Sequence, residues 1–268
     1  MKRNLLKKTK AVLFAAEAAA VLFLSSCAAT QNFDPETTPP ETLYNRALDM
    51  LLKKREYGKS AKAFDEIDRY YPYSRWALRA QIMEAFAYYV RKDYDESVIV
   101  LDRFLQLYPG NSFASYAYYL KALCYYAQIS DTERGQKMTQ MALDALMEVV
   151  RRFPDTPYAE DASKKIVLAQ DYLAAKEVNI GRFYLKQNAH IAAMNRFMNV
   201  IRNYQTTQHV QEALYRLTET YLILGLDGEA QKSAAVLGYN YPSGQWYARA
   251  YDLMKQYVPA SIAAERKD

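Results

Sequence analysis

The sequence predicts an all-α chain: a right-handed superhelical solenoid of five helix-pair repeats plus a short C-terminal helix. Three observations predict it. Apolar residues recur at spacings of three and four, with no sustained alternation of the kind strands need. Glycine is scarce, at eight in 268 residues, while Ala, Leu, Tyr, Glu, Lys and Arg abound. A proline-centred motif recurs along the chain: Tyr71-Pro72-Tyr73-Ser74, Tyr108-Pro109-Gly110-Asn111, Phe153-Pro154-Asp155-Thr156 and Tyr241-Pro242-Ser243-Gly244, with Tyr204-Gln205-Thr206-Thr207 a copy lacking its proline.

Residues 1–26 read as a signal peptide. A basic start (Lys2, Arg3, Lys7, Lys8, Lys10) precedes an apolar run from Ala11 to Leu24, interrupted by Glu17. The run ends in Leu24-Ser25-Ser26-Cys27, which resembles the bacterial lipobox. That resemblance implies cleavage before Cys27 and a covalent lipid on it, S-diacylglycerol with an N-acyl chain. Several acyl chains together give stable anchoring, at roughly 0.8 kcal/mol per buried CH₂. Residues 27–40 (CAATQNFDPETTPP) have tether composition.

Residues 41–155 hold repeats one to three. Residues 156–258 hold repeats four and five and the final helix, and 259–268 form a tail. The intervals between successive motif positions are 37, 45, 51 and 37, one repeat length with two insertions. Twelve positions before each lies a small residue: Ser60, Ser97, Ala142, Ala193, Ala230. Eight before lies Phe64, Leu101, Leu146, Phe197 or Ala234, and five before lies Ile67, Phe104, Val149, Val200 or Leu237. Small, then large at +4 and +7, is one face of a helix that the proline then ends. The pattern is similar to the second helix of a tetratricopeptide repeat. Tyr88, Tyr125 and Tyr221, each at the same offset after a motif position, fit that family's first helix.

The insertions have definite places. Eight extra residues fall near Gln128–Gly135, predicting a polar loop inside repeat three. Thirteen more, between Pro154 and Phe183, contain neither proline nor a turn cluster. They predict one helix from about Thr156 to Gln187, twice the usual length.

Charge and chemistry exclude several classes. The full chain carries +5, but its first 26 residues hold five basic groups and one acid, leaving 30 basic against 29 acidic residues in the mature chain. Nucleic acid, which needs a concentrated basic surface, is not an expected partner. With Cys27 lipidated, Cys124 has no disulfide partner and reads as a small buried hydrophobe. His190 and His209 fit no zinc pattern; His190 falls where earlier repeats have Tyr57 and Tyr94, a packing position at a helix start. No phosphate loop, dinucleotide fingerprint or nucleophile elbow is present, so neither an enzyme nor a bound cofactor or metal is expected.

What remains is a binding surface. The chain has 25 tyrosines. Their density peaks around Tyr70, Tyr71, Tyr73, Trp76, Tyr88 and Tyr89, with Arg69, Arg75 and Arg79 among them. Aromatics plus arginines suit an extended peptide ending in an aromatic residue and a carboxylate. Tyr71, Tyr73, Trp76 and Arg79 are the candidates for such binding, against the plainer reading that these rings pack helices together.

A lipobox followed by five such repeats resembles the BamD family, lipoproteins of the outer-membrane β-barrel assembly machinery. The resemblance rests on Arg69-Tyr70-Tyr71-Pro72-Tyr73, Asp102-Arg103-Phe104-Leu105, Tyr158-Ala159-Glu160-Asp161-Ala162 and the stretch from Phe183 to Phe197, with Asn195-Arg196 near its end. The family's usual Arg-Gly at the break is Gln187-Asn188 here, and another in repeat three is Lys121-Ala122. The resemblance implies a periplasmic protein, lipid-anchored in the outer membrane, that is no enzyme. Its C-terminal repeats would dock on the BamA POTRA domain nearest the barrel, with Asn195 and Arg196 at the contact. Its N-terminal repeats would receive the C-terminal β-signal of unfolded outer-membrane proteins, and other Bam lipoproteins would join. Another periplasmic repeat lipoprotein, scaffolding envelope or cell-wall complexes, is the alternative.

Overall fold

The computed structural model describes residues 34–129 and 133–257; the signal segment, Cys27 and the tail lie outside them. Eleven helices account for nearly all of the described chain: α1 (Pro40–Leu52), α2 (Tyr57–Tyr70), α3 (Arg75–Arg91), α4 (Tyr94–Leu107), α5 (Ala114–Tyr126), α6 (Glu133–Arg152), α7 (Pro157–Lys186), α8 (His190–Asn203), α9 (His209–Ile223), α10 (Asp227–Asn240) and α11 (Gln245–Tyr257).

Contacts define the architecture. Each helix packs on the next, and the odd-numbered helices also touch one another in series, α1 on α3, α3 on α5, α5 on α7, α7 on α9 and α9 on α11. The even-numbered helices make no such serial contacts among the described residues. Two layers follow: first helices close together inside, second helices splayed outside. This is an all-α tetratricopeptide-type solenoid, in which each repeat rests only on its neighbours.

The repeated register becomes repeated geometry. Ser60, Ser97, Ala142, Ala193 and Ala230 are all fully buried, as are Phe64, Leu101, Leu146 and Phe197 one helical turn on. The two serines are buried without cost because each donates its hydroxyl to a carbonyl of the first helix, Ser60 to Ala47 at 2.9 Å and Ser97 to Ala85 at 2.8 Å. Each of four second helices ends at a tyrosine, Tyr71, Tyr108, Tyr204 or Tyr241, with φ between −131° and −137°. Ser74 and Thr156 then start the next helix by accepting from the amides of Ala77 and Ala159.

In repeats one, two, four and five the turn between first and second helix uses one left-handed residue two positions before the second helix: Arg55, Lys92, Asn188 and Gly225, with φ from 56° to 71°. Asparagine tolerates that conformation better than most residues. Asn188 therefore makes the turn at the α7–α8 break without a glycine.

The long helix is 30 residues, as the sequence implied. Up to Leu173 it packs beside α6, through Ala162, Ala169 and Leu173, and from Ala174 onward beside α8 and α9, through Ala174 and Val178. The predicted polar loop at Gln128–Gly135 is corrected. Helix α5 ends at Tyr126, and α6 already begins at Glu133, so the end of that stretch is helical. Continuing the same helix toward its N-terminus adds one hydrogen bond per residue, whereas an open loop adds none.

Candidate functional site

At the N-terminal end, the structure brings Tyr71, Trp76 and Arg79 together but leaves Tyr73 apart. Tyr71 ends α2 with its ring half-buried, and its hydroxyl donates to the carbonyls of Glu36 and Thr38 at 3.0 and 2.9 Å. It thus clasps the segment before α1 to the first repeat. Trp76, in the first turn of α3, lies 5.0 Å from the Tyr44 ring, with the guanidinium carbons of Arg75 and Arg79 5.3 and 5.5 Å from its own. Both guanidinium groups lie within cation–π range of the one indole, which helps hold Arg79 at the surface. Tyr73, in the turn between, is fully exposed. Tyr44 was not foreseen as part of this group. The rest of α1 and the whole of α2 separate it from Trp76 in sequence, and the packing of α1 on α3 brings them together.

A second aromatic row runs along the inner layer. Tyr89 of α3 lies near Phe86 and Tyr94; Tyr116 and Tyr119 of α5 lie 5.5 and 5.3 Å from Tyr158 of α7. Tyr119 donates to Asp161 at 2.5 Å, and Lys165 pairs with the same carboxylate at 2.9 Å. The Tyr119 hydrogen bond, then that of Lys165, holds Asp161 below its usual range, and burial pushes the Tyr116 phenol up to about 12. Burial also raises the Tyr89 and Tyr119 phenols, and the rings together form an apolar wall. Aromatic density had marked Tyr89 and the resemblance Tyr158; Tyr116 and Tyr119 were not singled out, because their positions also serve helix packing.

At the C-terminal end, Asn195 and Arg196 lie on the outer face of α8. Arg196 reaches the surface but is not loose. Its Nη1 contacts both carboxylate oxygens of Glu177 at 3.3 and 3.2 Å, and Glu177 on α7 is buried to 4% exposure. A cleft of about 480 Å³ opens beside this pair, lined by Glu177 and Tyr184 of α7 and by Asn195, Arg196, Asn199 and Arg202 of α8, among others. Glu177 escaped the sequence reading, since it lies on the preceding helix inside an otherwise apolar stripe.

Cys124 is buried, donates to the Ser97 hydroxyl at 3.3 Å, and is pushed by burial up to about 11. His190 opens α8, and His209 lies 3.5 Å from Asp171 at the start of α9. Among the described residues no cluster of three metal-ligating side chains occurs, and no helix is long and apolar enough to cross a membrane.

Comparison with known proteins fixes the lineage. A family described as outer membrane lipoprotein, YfiO, matches residues 36–237. The outer membrane protein assembly factor BamD of Rickettsia prowazekii is 45% identical over 236 residues, covering 88% of this chain and 94% of its own. The chain belongs to the BamD family. BamD of Caulobacter vibrioides is also 45% identical, over 82% of this chain and 72% of its own length, and that of Neisseria meningitidis serogroup A is 32% identical over 86% and 91%. Among solved structures, a tetratricopeptide protein of Thermus thermophilus covers 80% of this chain and 98% of its own at 16% identity, with a TM-score of 0.38. The BamD relatives are named as assembly factors, consistent with the stacked-helix surfaces described above.

Proposed function

We propose that this BamD-family protein is an outer-membrane assembly scaffold, anchored by lipid on Cys27 and facing the periplasm. The observation that carries this reading is 45% identity to a BamD over 94% of that protein's length. The anchor holds the solenoid at the bilayer, and tethering raises the local concentration of whatever the solenoid binds. The C-terminal repeats dock on the BamA POTRA domain nearest the barrel, with Arg196 offering its remaining guanidinium nitrogens to a carboxylate. The N-terminal repeats receive the β-signal of an unfolded outer-membrane protein, an aromatic-ended segment with unpaired backbone that is otherwise prone to aggregate. Tyr73 and the exposed edges of Trp76 and Arg79 are the reachable groups there; Tyr71 supports them from beneath. Other Bam lipoproteins join the same assembly. No step in this role requires a cofactor or bond-making chemistry from the protein.

Extraction in mild detergent tests the reading. A tagged protein should bring down BamA in equal amount, mass spectrometry should find the mature N-terminus acylated at Cys27, and photo-crosslinkers at Tyr73 should capture a peptide with a terminal aromatic residue. Absence of BamA from the purified complex would refute the scaffold role; an unmodified Cys27 would refute the anchor.

A further inference from the structure

Positive charge collects at one edge of the first repeat. Residues 53–62 (KKREYGKSAK), the α1–α2 turn and the start of α2, hold five cations and one acid. The same ten register positions in the other repeats, 90–99, 135–144, 186–195 and 223–232, hold at most two Lys or Arg each, with three acids in repeat two. Lys53, Lys54, Arg55, Lys59 and Lys62 are all exposed. Arg91 joins them from the end of α3: a Cβ built at Gly58 would meet its Nη1 at 2.5 Å, so its guanidinium lies on the start of α2. Three acids pair with this group, Asp49 with Lys53 at 2.8 Å, Glu56 with Lys59 at 3.0 Å and Asp93 with Arg91 at 3.0 Å. Six cations against three anions leave the edge positive.

Helix stability does not explain this charge. Lys53 and Lys54 complement the C-terminal dipole of α1, but Lys59 lies in the first turn of α2, where the dipole disfavours a cation. Helix α2 has no acid in that turn, whereas α4 has Asp95 and Glu96 there, and α10 has Asp227 and Glu229. Amid the cations stands Leu52, 62% exposed at the end of α1. An apolar side chain among lysines and arginines suits a phospholipid surface: the leucine enters the acyl boundary while the cations meet phosphates.

Position selects the occupant. The segment before α1 is held to repeat one by the Tyr71 hydroxyl at Glu36 and Thr38. From Cys27 to Glu36 is nine residues, at most about 30 Å of chain. Helix α1, with 13 residues and a length of about 20 Å, carries the basic turn at its far end. The tether is therefore longer than α1, and the turn can reach the bilayer that the lipid enters. We infer that the α1–α2 turn is a second membrane contact, one that binds anionic phospholipid headgroups. The inference rests on the anchor reading above and deepens it: the lipid supplies attachment, and the turn lays repeat one against the bilayer.

The mature protein reconstituted in vesicles tests it, with a fluorophore on Leu52→Cys and quenching nitroxides on the lipid acyl chains; Cys124 is buried and stays unlabelled. Quenching should be strong in vesicles rich in phosphatidylglycerol and weak in pure phosphatidylcholine, and added salt should reduce it. One Lys near an anionic surface strengthens binding about fivefold. Lys54→Gln with Lys62→Gln should therefore lower the ratio of docked to free protein about 25-fold. Lys232→Gln, in repeat five, should leave it unchanged. Equal quenching in both lipids, or in wild type and the double variant, would overturn the headgroup contact; an acylated Cys27 in the same sample would keep the anchor reading. Loss of a co-purifying protein from the double variant, with quenching unchanged, would assign the turn to an acidic protein surface instead. An unmodified Cys27 would overturn the anchor reading and this inference with it.

Discussion

Gly181 shows how tightly one residue can be specified. It lies in the second half of α7, and a Cβ built there would meet Phe197 at 2.5 Å. Phe197 is fully buried, so its packed neighbours oppose any swing of the ring. Alanine would gain about 1 kcal/mol of helix propensity over glycine. Overpacking a rigid core costs about 1–3 kcal/mol, which outweighs that gain. Gly181→Ala should therefore lower the melting temperature, and Gly181→Ala with Phe197→Leu should recover part of the loss. A variant melting at or above wild type would show that the ring has room to move. The sequence could expose Phe197 as a core position because its register repeats five times. It could not expose Gly181, whose constraint comes from a ring on the next helix. Arg196 was legible as an exposed side chain for the same reason as Phe197, while its partner Glu177 was not.

Between elements, the same register carries different chemistry in successive repeats. Where α5 meets α4, Lys121 pairs with Asp102 at 2.5 Å. Where α3 meets α2, the matching position is Glu84, and Asp65 and Asp68 of α2 approach it instead, with Glu96 and Arg103 from α4. Glu84 is buried, and Arg103 stands 3.6 Å away. Burial first, and then Asp65, push its carboxyl up from 4.5 to about 8, more than Arg103 pulls it down. An unfolded chain releases that proton near 4.5, so between there and about 8 the folded state binds more protons. Stability should thus decline as pH rises across this interval and level off above it. Glu84→Gln should flatten the decline and melt higher than wild type at pH 8. Parallel slopes for both proteins would show that Glu84 is ionised throughout. Element boundaries at the motif positions were legible because proline, capping Ser74 and Thr156, and the terminal tyrosines mark them chemically. The start of α6 was not, because glutamate and arginine, the residue types at 133 and 134, suit a helix as well as a loop.

Across the whole molecule, the feature that departs from a plain repeat array is α7. At 1.5 Å per residue its 30 residues run about 45 Å without a break. The double length was legible from thirteen extra residues lacking any turn former; the two packed environments it joins were not, since Leu173 and Ala174 adjoin in sequence yet serve different clusters. Sharing one helix should make the two ends unfold together. Ala175→Pro, placed near the midpoint on a partly exposed position, should break the ladder and split a single thermal transition into two, measured by circular dichroism. One unchanged transition would show that the halves are joined by packing alone. Mechanics gives this feature its further meaning. In the role proposed above, the protein would be held by its lipid at one end and a neighbour at the other, and would bear tension whenever its cargo is drawn away. Ordinary repeat boundaries yield to a pull by peeling one helix pair from the next. Across α7 there is no such boundary, so in that role a load would meet a continuous helical strut, and peeling would be expected first at the repeat boundaries outside it.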